Sequence, residues 1–316
     1  MFCSAFMDLK NKKILLTGGS GFFGRHVDSE LKKRQPNRIL TPRSSEIDLR
    51  KMDDCLKITQ DIDILFHLAG RIGGIGFNLK RAGEVFYENA MMGLQIIEAA
   101  RIQRVQKVVV VGTTCSYPKS ISLPFKETSL WDGYPEEVNA SFGLAKKMLL
   151  VQLAAYRKQY GMNGVFLLPV NLYGPHDHFD LQTSHVIPAL IRKVHEAIRS
   201  EISEIPLWGD GSSTREFLYV EDAAKAIVLS AERYDKEEPV NLGSGIEISI
   251  QHLAEKIGDL MGYKGRFIWD QTKPQGQPRR CLDVSRAEKE FGFKAETSLE
   301  EGLRQTIHWY QKKLPE

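Results

Sequence analysis

The residues best suited to chemistry lie in three short stretches. Asn139-Ala140-Ser141-Phe142-Gly143-Leu144-Ala145-Lys146-Lys147 opens a helical run, and Lys146 stands one turn after Phe142 on the same face. A Tyr at the first position would make the pair an acid and its electrostatic helper, as a nicotinamide enzyme requires; Phe keeps the ring and lacks the O–H. Gly112-Thr113-Thr114-Cys115-Ser116-Tyr117-Pro118 follows an apolar strand, the place where parallel sheets present ligands. Thr113 and Thr114 can hydrogen-bond a hydroxyl or carbonyl, and Cys115 can move a proton if its thiol is perturbed. An isolated cysteine is more often a small buried hydrophobe, but the strand-end position favours function. The third stretch is Asn171-Leu172-Tyr173-Gly174-Pro175-His176-Asp177-His178, with Ser184-His185 before the next helix. His185 titrates in the right range for proton transfer, although a histidine at a helix start is commonly a structural hydrogen-bonder. His67, inside an apolar strand, reads as a satisfied core histidine.

The elements that must position these groups alternate. Lys13–Leu16, Arg38–Thr41, Ile64–Ala69, Lys107–Gly112 and Val165–Pro169 read as strands. Helical stretches at His26–Arg34, Arg81–Arg101 and Ala140–Tyr160 lie between them. Near-continuous apolar strands alternating with helices predict an α/β, Rossmann-like doubly wound parallel sheet. After about residue 172 the elements become shorter and mixed. Helices are expected at His185–Arg199, Glu221–Ala231 and Ile250–Met261, and short strands at Ile205–Trp208, Glu216–Tyr219, Val240–Leu242 and Arg266–Trp269, before two terminal helices. The division expected is a dinucleotide-binding domain over 1–172, joined by some later strand or helix, and a smaller, mainly substrate-binding α/β lobe over 173–316.

Gly18-Gly19-Ser20-Gly21-Phe22-Phe23-Gly24 sits between the first strand and the first helix, the context a dinucleotide fingerprint needs. Gly18 permits the turn, Gly21 lets pyrophosphate approach the backbone, and Gly24 lets helix and strand pack closely. The second strand ends in Thr41-Pro42-Arg43-Ser44-Ser45. A cation and hydroxyls, with no acid there, suit a ribose 2′-phosphate and favour NADP over NAD. Asp48 and Leu49 can flank the adenine.

Composition bounds the rest. The 316 residues carry a net charge of +3, with 42% hydrophobic and 26% charged residues. That is ordinary for a soluble globular chain and argues for no nucleic acid and no membrane partner. The four cysteines, Cys3, Cys55, Cys115 and Cys281, form no CxxC pair, so we expect reduced thiols in the cytoplasm and no metal site. The first ten residues lack the pattern of a signal peptide, and no window reaches eighteen apolar residues.

Several of these motifs are familiar together. The glycine loop, Ala-Gly-Arg-Ile-Gly-Gly-Ile at 69–75, Gly-Thr-Thr-Cys-Ser-Tyr-Pro-Lys at 112–119 and Pro-Val-Asn-Leu-Tyr-Gly-Pro-His-Asp at 169–177 resemble GDP-L-fucose synthases, extended short-chain dehydrogenase/reductases. Ser-His-Val-Ile-Pro-Ala-Leu at 184–190, Trp-Gly-Asp-Gly at 208–211 and Arg-Glu-Phe-Leu-Tyr-Val-Glu-Asp at 215–222 extend the likeness over almost the whole chain. The resemblance implies an enzyme that epimerises C3 and C5 of GDP-4-keto-6-deoxy-D-mannose and reduces C4 with NADPH. It implies Cys115 and His185 as the epimerising pair, Thr113 as the hydroxyl that steadies the 4-oxygen, and Lys146 as the lysine that holds the nicotinamide ribose. The same resemblance adds Val111, Gly112, Thr113, Thr114, Lys146, Pro169, Asn171, Leu172 and His185 to the cofactor contacts. It places Lys193, Trp208 and Arg215 at the GDP end of the GDP-linked keto-deoxy sugar, and Gln275 and Arg279 in a further substrate loop. It also implies a homodimer formed through helices near 81–101 and 140–160, with apolar stripes wider than one core needs. Phe142 departs from the family's Tyr. Three readings follow: a GDP-L-fucose synthase in which water, Tyr117 or Thr113 supplies the proton; an epimerase-dominant enzyme on a related GDP-keto-sugar; and a catalytically silent nucleotide-binding paralogue, which the intact Cys115, His185 and Lys146 disfavour.

Overall fold

The computed structural model describes residues 6–73, 75–181, 183–273 and 277–313. The chain begins with β1 (Lys13–Thr17), α1 (Phe22–Lys32), β2 (Arg38–Leu40), α2 (Met52–Thr59), β3 (Ile64–His67), α3 (Ile75–Lys80) and α4 (Ala82–Ile102). It continues through β4 (Lys107–Val111), α5 (Glu137–Tyr160), β5 (Gly164–Pro169), β6 (Asn171–Tyr173), α6 (Val186–Arg199), β7 (Glu204–Trp208), β8 (Thr214–Tyr219) and α7 (Val220–Arg233). The last elements are β9 (Val240–Leu242), β10 (Glu247–Ser249), α8 (Ile250–Met261), β11 (Arg266–Asp270), α9 (Ser285–Phe291) and α10 (Leu299–Lys313).

Six parallel strands form the main sheet in the order β2-β1-β3-β4-β5-β9. Runs such as Ile-Leu-Phe and Val-Val-Val-Val are buried along their length because helices cover both faces. β9 pairs with β5, so residues around 240 return to the sheet after a long excursion. Two further sheets, β10-β8-β6 and β11-β7, carry a second apolar core. That core includes Tyr173, Ile191, Phe217, Leu253 and Leu303, whereas Ala287 and Phe291 of α9 pack into the main one.

Helix α1 starts at Phe22, four residues before the expected His26. Its N-cap is Gly21 and no side chain caps it, so the Ser, Thr or Asp that normally marks a boundary is absent. Helix α5 likewise begins earlier than expected, at Glu137, and ends on Gly161 in the left-handed region at φ 69°. It packs on α4 at close range, since a Cβ on Gly93 would lie 2.4 Å from Leu149. The short α2, α3, β6 and β10 were not expected from the sequence.

Candidate active site

The glycine loop has the shape its spacing predicts. Gly18 turns at φ 77°, and a Cβ there would sit 2.8 Å from the Ala69 backbone nitrogen. A Cβ on Gly24 would be 2.1 Å from the Gly18 oxygen, so α1 can approach β1 only through glycine. The uncapped first turn of α1 leaves N–H groups free to meet an anion. In front of it lies a cleft of about 770 Å³, within the size range of ligand sites. Gly18, Ser20, Gly21, Phe22, Phe23, Gly24, Arg43, Ser44, Asp48 and Leu49 all line it. These residues fit a dinucleotide. The Arg43 guanidinium is exposed, and no carboxylate among the described residues pairs with it. Asp48, in contrast, spends both oxygens on Arg50, whose hydrogen bonds hold its carboxyl down to about 2. Ile47, Arg50, Gly70, Arg71, Glu88 and Met92 also line the cleft, a position the sequence reading does not assign to them although Gly70 and Arg71 lie in the 69–75 motif.

Behind Ala69, which lines the cleft, Lys146 Nζ donates to the Ala69 carbonyl at 2.9 Å, while Lys146 itself is not part of the lining. Lys146 is buried, and desolvation pushes its ammonium down to about 8. His67 lies in the same region and corrects the expectation of a satisfied core histidine. Its Nδ1 meets Thr17 Oγ1 at 2.8 Å, while Nε2 is buried without a partner. The cross-strand neighbours explain this: Thr17 supplies a polar atom on one side, and Val110 supplies none on the other. Burial first, and the Lys146 charge second, lower the imidazole well below its ordinary value.

Phe142 is 7% exposed and begins the turn that ends at Lys146. Gly143 lets the Cys115 segment dock directly on that turn. A Cβ on Gly143 would lie 2.2 Å from the Cys115 carbonyl oxygen, and Ser116 Oγ donates to the Gly143 carbonyl at 2.8 Å. A 3₁₀ turn, Thr114–Ser116, follows Thr113, whose Oγ1 accepts the Cys115 N–H at 3.1 Å. That bond occupies a lone pair of the Thr113 hydroxyl and leaves its proton free to be donated. Tyr117 does not offer a proton here. Its hydroxyl donates to Asn241 Oδ1 at 2.7 Å, its ring packs against Phe125 in the main core, and burial raises its pKa. The 3₁₀ turn directs it inward. Val111, Gly112 and Pro169 at strand ends, Thr113 and Thr114 at the 3₁₀ turn, and Lys146, Asn171, Leu172 and His185 do not line the dinucleotide cleft.

A second, smaller hollow of about 80 Å³ gathers Asn171, Leu172, His185 and Arg215 with Pro188 and Phe217. β6 and β8 run side by side, and Asn171 Nδ2 donates to the Glu216 carbonyl at 3.1 Å. His185 caps α6 and opens onto this hollow. The protein packed round its ring lowers its pKa, with the His178 charge adding to the effect. Desolvation first, and the charge of nearby Arg280 second, push the Arg215 guanidinium down to about 10. Arg280, absent from the sequence expectations, is held by Gln277 Oε1 at 2.7 Å and faces Glu136 at 3.5 Å. Lys193 reaches the Pro206 carbonyl at 3.0 Å, and Trp208 is 63% exposed at the end of β7; neither lines the hollow. Arg279 pairs with Glu247 at 3.0 Å, and Gln275 lies outside the described residues. Among the described residues no group of three or more His, Cys, Asp or Glu could hold a metal ion. No helix there is long and apolar enough to cross a membrane.

A doubly wound sheet carrying this glycine loop, with a lysine and a cysteine segment at its strand ends, defines a dinucleotide-binding enzyme of the Rossmann type. Residues 14–243 match the NAD dependent epimerase/dehydratase family, and the chain belongs to that family. It is 37% identical to a GDP-L-fucose synthase of Sinorhizobium fredii, covering 93% of this chain and 94% of that protein. It is 33% identical to a GDP-L-colitose synthase of Yersinia pseudotuberculosis, over 94% and 97%. The structure of a GDP-L-fucose synthetase from Naegleria fowleri bound to NADP superposes with a TM-score of 0.90 at 27% identity, covering 98% of this chain and 96% of that one.

Proposed function

We propose that the chain is an NADP-dependent epimerase and reductase of a GDP-linked 4-keto-6-deoxy sugar, converting GDP-4-keto-6-deoxy-D-mannose towards GDP-L-fucose. The observation that carries this reading is the docking of the Cys115 segment onto the Phe142–Lys146 turn at Gly143, which sets the turn bearing the thiol against the helix that carries the lysine. The relatives named GDP-L-fucose synthase support the substrate class. Bound NADPH would supply the hydride for C4; Gly18 to Gly24 would hold its pyrophosphate, Arg43 and Ser44 its 2′-phosphate, and Lys146 its nicotinamide ribose.

The 4-keto group acidifies the hydrogens on C3 and C5. At each carbon one of the pair Cys115 and His185 removes the proton from one face and the other delivers a proton to the opposite face, and the lowered pKa of His185 keeps a neutral imidazole available as base. Thr113 donates its free hydroxyl proton to the 4-oxygen, the task a Tyr at 142 would perform. A threonine hydroxyl is a weak acid, so C4 reduction is the slow half of the reaction. Lys193, Trp208 and Arg215 take the GDP end, Arg as a diphosphate fork and Trp as a stacking surface. A related GDP-keto-sugar with epimerisation dominant is the second reading; the relative named GDP-L-colitose synthase favours it.

We read the main sheet with α7, β9 and α9 as the cofactor lobe and the smaller sheets as the substrate lobe. Two copies pair through α4 and α5, whose Phe86, Tyr87, Met148, Val151 and Tyr160 remain exposed. We place the enzyme in the cytoplasm, in keeping with free Cys55, Cys115 and Cys281. Incubation with the keto sugar in deuterated water, without NADPH, tests the epimerase half. Deuterium entering C3 and C5 supports it, and recovery of unlabelled sugar refutes it.

A further inference from the structure

Arg50 stands on the wall of the dinucleotide cleft, and its guanidinium is fixed from two sides. Nε and Nη2 donate to the two oxygens of Asp48 at 2.8 and 2.9 Å, and Nη1 reaches Glu88 Oε1 at 3.3 Å. Both carboxylates are themselves anchored. The Arg50 backbone N–H donates to Asp48 Oδ1 at 3.0 Å, and Glu88 receives Arg71 Nη1 at 2.7 Å on each oxygen. Three of the five N–H donors of Arg50, one on each nitrogen, are thus spent on carboxylates that fix the plane of the guanidinium, and what it chiefly offers a ligand is its flat face. Apolar Ile47, Leu49 and Met92 line the same cleft.

Charge separates two possible ligands for that face. Two arginines and two carboxylates cancel here, so a phosphate gains little. The unpaired Arg43 is the cation of this cleft suited to a phosphate. A neutral aromatic ring, by contrast, stacks on a held guanidinium with no need of its N–H groups. We infer that Arg50, held edge-on by Asp48 and Glu88, is the platform on which the adenine ring of the dinucleotide stacks. This rests on the reading that the cleft takes a nicotinamide dinucleotide. Arg43 then reads the 2′-phosphate and Arg50 the base, and Asp48 acts through Arg50 rather than on the base itself.

The test is dissociation constants for NADP⁺ and NAD⁺, measured by competition against NADPH fluorescence, for wild type, Arg50→Ala, Arg50→Lys and Arg43→Ala. Stacking on a cation corresponds to a loss of about threefold to thirtyfold. Arg50→Ala weakens both dinucleotides by the same factor, Arg50→Lys does nearly as much because it keeps the charge and loses the plane, and Arg43→Ala weakens NADP⁺ alone. Arg50 is 43% exposed in its side chain, so these variants fold, and unchanged melting curves check it. A loss confined to NADP⁺ would assign Arg50 to the phosphate and overturn the inference, as would wild-type affinity in either Arg50 variant. A wild type that binds neither dinucleotide would instead overturn the reading of the cleft, and the platform with it.

Discussion

Phe142 and Lys146 were legible because four residues of one helix fix their relation whatever the fold around them. Cys115 was legible for a similar local reason, lying just past an apolar strand. Tyr117 was misplaced because a single 3₁₀ turn, not the sequence pattern, decides that its hydroxyl meets Asn241, 124 residues away. Arg50 was missed because its partner Glu88 is 38 residues distant and an isolated arginine reads as surface charge. At this scale the epimerising pair yields a direct expectation. Cys115→Ser and His185→Asn each reduce deuterium entry into C3 or C5 by about 10²-fold or more, while NADP⁺ binding to Cys115→Ser stays as in wild type; unchanged exchange would remove these residues from the mechanism. Lys146 gives a pH signature. Its ammonium titrates near 8 in the folded protein against 10.5 ordinarily. Between those values the unfolded chain holds more protons, so this lysine makes stability rise as pH increases, and its burial is most costly below 8. Lys146→Met therefore melts higher than wild type at pH 7, and the gap closes by about pH 10.5; a constant gap would contradict the assignment.

At the scale of elements, continuous apolar runs made β1, β3, β4 and β5 readable, since burial on both faces leaves no alternation to confuse them. Shorter pieces were not. β6 and β10 have three residues each and owe their pairing to β8, a contact that local pattern does not reveal. α1 hid its start because glycine caps it. The contact that matters most is the one between the 3₁₀ turn and α5. Gly143→Ala puts a methyl group 2.2 Å from the Cys115 carbonyl oxygen, and backbone against backbone cannot yield by a rotamer change. We expect a loss of about 1–3 kcal/mol in urea unfolding, together with a fall in C3 and C5 exchange as Cys115 moves off the turn. Wild-type stability and exchange would show that this close approach is not needed.

At the scale of the whole molecule, the doubly wound sheet is readable from the sequence, which leaves open the later element that joins it; Val240–Leu242 is a strand that does so. The sequence did not show that residues near 287–291 also pack into the main core, because helix α9 has only seven residues to carry a pattern. The exposed apolar residues of α4 and α5 bear on assembly. Val151→Glu, at a site 52% exposed, shifts the protein from dimer to monomer in sedimentation at micromolar concentration; a wild type already monomeric there would remove the interface from the account. In the function we propose, the epimerase and cofactor groups lack one proton donor, at Phe142. The most direct measurement compares wild type with Phe142→Tyr on GDP-4-keto-6-deoxymannose and NADPH, following NADPH oxidation and C3 and C5 deuterium exchange together. Exchange is expected to be equal in both, with oxidation about 10² to 10⁴ faster in the tyrosine variant. Equal, rapid oxidation in both proteins would contradict the proposal.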